Sequence, residues 1–107
     1  MPGRVQIYRP GLTEPVFENV NTTAEARALI QREITGLFEQ IPGWNTIEGG
    51  APCRAFHHQE SERVKLQPNR LAQIAWERAQ VGSGRTPYID TLQGTVCVVT
   101  GDPVNDL

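Results

Sequence analysis

The chain has 107 residues and a mass of 11.9 kDa, with ten basic and twelve acidic side chains and a formal charge of −2. That length favours one domain, and a hydrophobic share of 38% supplies about 40 apolar residues, enough for one modest core. The balance of charge excludes both a disordered acidic tail and a polycation built for nucleic acid.

No apolar run is long enough to cross a bilayer. The opening stretch MPGRVQIYRPG lacks the apolar segment of a signal peptide, so a cytoplasmic location is expected. Two cysteines, Cys53 and Cys97, cannot build a disulfide framework.

The first element runs from Arg4 to Arg9, where Val5 and Ile7 alternate with Arg4, Gln6 and Tyr8 as in a half-buried strand. Pro10-Gly11 turns the chain, and Val16, Phe17 and Val20 suggest the second arm of a hairpin. Thr22 and Glu25 have the spacing of a capping box. Behind them Ala26, Leu29, Ile30 and Ile34 fall on one helical face, so a helix is expected over 23–34 with Gly36 as its stop. A third strand is expected over Leu37 to Ile41, closed by Pro42-Gly43. Residues 43–52 read as a loop, broken by a short strand near Asn45 to Glu48. Cys53 to His58 alternates weakly as a further strand, and 59–65 reads as a polar turn. Gln67-Pro68-Asn69 opens a second helix with the proline in its first turn, and Gly82-Ser83-Gly84 ends it.

Leu92 to Thr100 is the clearest strand. Apolar residues on both of its faces mark a central strand covered on both sides, or on one side by helices. Gly94 marks a bulge. The order β-β-α-β-β-α-β implies an α+β domain, a mostly antiparallel sheet of about five strands with two helices packed on it.

Charge is uneven along the chain. Residues 54–85 carry six basic side chains (Arg54, Arg63, Lys65, Arg70, Arg78, Arg85) and three acidic ones, with His57 and His58 alongside. If they converge they form an anion site; if they do not, they are a solvated surface with scattered pairs. Asn69 and Arg70 stand at a helix start, where free amides attract anions; equally, Asn69 serves as an N-cap and Arg70 is exposed. Cys53, His57 and His58 fall short of a zinc set and of an oriented Cys-His nucleophile. The cysteines read as small buried hydrophobes. Trp76 has helical core spacing, whereas Trp44, in a Pro-Gly-Trp-Asn loop, is expected to be half exposed and free to stack on a ring.

Tyr8-Arg9-Pro10-Gly11, the central Cys53, Lys65 to Arg70 with its Pro-Asn-Arg core, and the terminal Gly94-Thr95 strand ending at Gly101 occur in an order that resembles the small phage and plasmid proteins grouped as domain of unknown function 3846. The resemblance spans nearly the whole chain and departs at Gln67, where a second proline is usual. It implies a phage or mobile-element origin and a small accessory role, and carries no reaction with it.

The expected function is therefore a non-enzymatic counter-defence protein that binds and sequesters a small anionic, nucleotide-like ligand in the host cytoplasm. It is expected to need no cofactor or metal and to form a homo-oligomer. Its site would draw on Trp44, Arg54 and His57, and on Arg63, Lys65, Asn69 and Arg70. The alternative is a protein–protein inhibitor of a host defence enzyme, with a flat apolar patch centred on Trp44. Nucleic-acid binding is disfavoured by charge, and hydrolysis by the lack of a nucleophile, base and orienter that assemble.

Overall fold

The computed structural model describes residues 3–47, 51–60, 66–82, 91–101, 103 and 107. Strands β1 (Gly3–Tyr8), β2 (Val16–Val20), β3 (Phe38–Gln40), β4 (Cys53–His58) and β5 (Val96–Thr100) and helices α1 (Thr23–Glu33) and α2 (Arg70–Gly82) follow the expected α+β order. The strands form one antiparallel sheet in the order β2-β1-β5-β4-β3. The last strand in sequence therefore lies at the centre, between β1 and β4.

Two apolar layers sandwich the sheet. On one face Val5, Ile7, Phe56, Cys97 and Val99 meet Ala26, Leu29 and Ile30 of α1. On the other, Tyr8, Cys53, Ala55, Val96 and Val98 meet Ala72 and Trp76 of α2. Alternate residues of a strand point to opposite faces, so β5 is apolar throughout because it feeds both cores.

α1 starts as its capping residues dictate. Thr22 Oγ1 accepts from the Glu25 amide at 3.1 Å, and Glu25 Oε2 reaches back to the Asn21 amide at 2.9 Å. The helix ends one residue early. Ile34 is already extended (φ −107°, ψ 96°), and its amide still donates to Ile30. Gly36 is thus not the stop. It turns the chain two residues later at φ +104°, where a Cβ would lie 2.8 Å from His58 Nε2.

α2 begins later than expected, at Arg70. Pro68 is not in its first turn but forms an antiparallel bridge with Gln93. That bridge also removes Leu92–Thr95 from β5. Gly94 is not a bulge inside the ladder: it bends the chain into β5 at φ +74°, donating its amide to the Gln67 carbonyl at 2.7 Å. Leu66 Cδ1 would lie 2.7 Å from a Cβ there, so the close approach as well as the dihedral requires glycine. The expected strand near Asn45 to Glu48 is reduced to one bridge, Thr46 to Pro52; Glu48 lies outside the described residues, as do 61–65 of the polar turn and Ser83-Gly84 beyond α2.

Tyr8 and Trp44 also depart from the sequence reading. Tyr8 is buried rather than solvated. Trp44 is 2% exposed, with its ring 5.7 Å from that of Tyr8. The Pro42-Gly43 turn folds the loop back beneath α2, where the Trp76 indole N–H donates to the Pro42 carbonyl at 2.9 Å. A large amphipathic ring whose neighbours are apolar is drawn in even from a loop. Trp44 is therefore a core residue, not a free stacking surface or the centre of an exposed patch.

Candidate functional site

The basic middle segment does not gather its described members in one place. The pairing of Cys53 with Thr100 and of Phe56 with Cys97 sets the faces of β4. Arg54 and His58 point with Phe56 towards the α1 side, and His57 points with Cys53 and Ala55 towards the α2 side. His57 Nε2 lies 3.1 Å from Glu39 Oε1 on the neighbouring strand. His58 Nδ1 accepts from the Glu60 amide at 3.0 Å. Arg70 is exposed at the start of α2. Arg63 and Lys65 lie outside the described residues.

Asn69 is 1% exposed and serves as the cap. Its Oδ1 accepts from the Ala72 amide at 3.1 Å, and its Nδ2 donates to the carbonyls of Tyr8 and Gly94, both at 2.8 Å. All of this hydrogen bonding is internal, so Asn69 fastens α2 to the end of β1 and the entry of β5 and presents nothing to a ligand.

Both cysteines are buried. They point to opposite faces of the sheet, so they cannot be bridged. Burial pushes each thiol up to about 12 from an ordinary value of 9.0, which suppresses the thiolate that nucleophilic chemistry requires. The folded state favours the neutral thiol, so this contribution to stability is complete below the unfolded-state value. It is lost as the pH rises through the interval from about 9 to about 12. Alkaline unfolding is expected to begin above about pH 9 and to be delayed in Cys97→Ala, measured by urea titration at stepped pH. An unchanged alkaline limb in that variant would contradict it.

The polar chemistry that the fold does bring together lies elsewhere, on the half of the sheet that α2 leaves uncovered. On this face of β1 and β2 stand Arg4, Gln6, Phe17 and Asn19, with Thr100 of β5 beside them. Phe17 is 50% exposed, and the Arg4 guanidinium carbon lies 5.4 Å from its ring centroid. Gln6 Oε1 accepts from the Tyr8 hydroxyl at 2.8 Å. Thr100 Oγ1 donates to the Arg4 carbonyl at 3.3 Å.

The opposite face differs. There a chain of ion pairs links Glu18 to Arg32, Arg32 to Glu33 and Glu33 to Arg9. Among the described residues the open half carries no carboxylate, and Arg4 faces a π-system instead of an acid. The combination of cation, exposed ring, amide and hydroxyl suits a flat aromatic group bearing negative charge. Sequence reading missed this group because Arg4, Phe17 and Thr100 are distant in the chain. The available signal was Phe17, an aromatic residue out of phase with Val16 and Val20, which supply the apolar face of its strand.

Comparison of the chain with protein-family models, with curated proteins and with solved structures returned no match.

Proposed function

We infer that the protein is a non-enzymatic binder that sequesters a small anionic, nucleotide-like ligand on the open half of its sheet. The single observation that carries this reading is the Arg4 guanidinium stacked 5.4 Å from the exposed Phe17 ring, among amide and hydroxyl groups. A base stacks on the ring or on the guanidinium plane, the guanidinium pairs with a phosphate, and Gln6 and Asn19 offer donors to the base edge. The two suppressed thiols support binding over nucleophilic catalysis. Resemblance to small phage proteins supports a counter-defence setting for such sequestration.

A thermal-shift panel of nucleotides and cyclic nucleotides tests it, because a ligand specific to the folded state raises the melting temperature. One member is expected to stabilise the protein by about 2.7 kcal/mol at a hundredfold excess over its Kd. Arg4→Ala and Phe17→Ser should abolish the shift, and Arg70→Ala should retain it. A shift lost in Arg63→Ala but kept in Arg4→Ala would move the site to the middle segment. No shift with any member would overturn the reading.

One observation favours inhibition of a host protein as a second reading. Ile74 and Val81, seven residues apart on the outer side of α2, are 39% and 63% exposed. Apolar side chains at that spacing share a helix face and suit a partner groove.

A further inference from the structure

We propose that the free edge of β2 pairs antiparallel with β2 of a second copy, with Phe17 opposite the partner's Phe17, so that two Arg4–Phe17 faces join across a two-fold axis. This inference stands on the edge strand and not on the identity of a ligand.

Among the described residues the sheet has two edges, β2 and β3, and no described strand pairs with the outer side of either. β3 has three residues, too few for a stable ladder. A very short edge strand is a device that natural edges use against pairing. β2 has five residues, Val16-Phe-Glu-Asn-Val20, of which only Glu18 is charged. That carboxylate is engaged by Arg32 on the α1 side. β2 therefore presents on its outer side the backbone donors and acceptors of alternate residues, beside a half-exposed phenylalanine, which is a template for another strand.

Self-pairing also selects a register. A two-fold axis normal to the sheet keeps the same face upward in both copies, so the residue on the axis meets itself. Centring on Glu18 sets carboxylate against carboxylate. Centring on Val16 sets Glu18 against the partner's Glu14. Like charges directly opposite are unfavourable, and aromatic pairs are favourable. Centring on Phe17 makes the ring pair, sets Val16 against the partner's Glu18, and faces no two carboxylates. Centring on Asn19 runs the pairing into Asn21 and Thr22, which are occupied in starting α1. The Phe17 register is thus the self-complementary one, and it places two guanidinium–ring stacks side by side on one open face.

The experiment is sedimentation velocity of the intact ligand-free chain over a wide concentration range, combined with disulfide trapping. Wild type is expected to show reversible monomer–dimer exchange. Phe17→Lys should weaken association at least about fivefold, more than the loss of one favourable cross-strand pair, because it also opposes like charges. With both native thiols buried, Phe17→Cys should form a covalent dimer under mild oxidation faster than Glu18→Cys or Asn19→Cys. Circular dichroism confirms that each variant is folded. A protein monomeric at every concentration overturns the proposal. So does fastest trapping at Glu18→Cys, or a dimer abolished by Ile74→Ser and untouched by Phe17→Lys. A negative nucleotide panel alongside a positive trapping result would remove the ligand reading and leave the dimer.

Discussion

Asn69→Ala is expected to destabilise the protein by about 3 kcal/mol. Loss of an N-cap costs about 1 kcal/mol, and each buried acceptor left without its donor adds on the order of 1 kcal/mol or more. Here the cap to the Ala72 amide is lost, and the carbonyls of Tyr8 and Gly94 lose their shared donor. For a domain of this size that corresponds to a fall in melting temperature of roughly 12–24 °C. Asn69→Asp separates the two contributions. An aspartate keeps an oxygen for the Ala72 amide but sets its second oxygen against two carbonyls. It should be no more stable than the alanine variant, although aspartate is as good a cap as asparagine on an ordinary exposed helix. Chemical denaturation of the three proteins measures the difference. An Asn69→Asp variant close to wild type would show that capping alone matters and that the clasp contributes little.

Trp44→Ala is expected to cost about 3–5 kcal/mol, the range for removing a buried aromatic side chain. Trp44 is 2% exposed and packs against Tyr8 at 5.7 Å, so the substitution opens a cavity in the layer beneath α2. A domain of marginal total stability tolerates only one such loss, and Trp44→Phe supplies a milder comparison. Fluorescence gives a direct check in Trp76→Phe, where Trp44 is the sole indole of the chain. Its emission should be blue-shifted and resistant to iodide. Ready quenching would restore Trp44 as an exposed ring and revive the inhibitor patch centred on it.

Local chemistry was legible in the sequence. Thr22 and Glu25 announced the start of α1, the alternation of Cys53 to His58 matched β4, and the two-sided apolar run ending at Thr100 identified β5 as central. In each case a few neighbouring residues carry the whole signal, through capping geometry or a period of two. The Asn69 cap was legible too, as one of two readings of a helix start. What it fastens was not, because Tyr8 lies 61 residues away.

The candidate site divides the same way. The basic residues of segment 54–85 were visible as a linear cluster, yet β-strand alternation sends Arg54 and His57 to opposite faces. The loop position of Trp44 suggested exposure, because the sequence does not show that α2 and Tyr8 close over it. By itself, then, the sequence determined the element types, the α+β class and the two-sided burial of β5, since these follow from propensity and periodicity over a few residues. Only the tertiary structure decided which half of the sheet stays open, which edge is free, and that Arg4, Phe17 and Thr100 share one surface. Those outcomes depend on strand order and on where two helices settle, and contacts between residues nearly a hundred positions apart leave no local pattern to read.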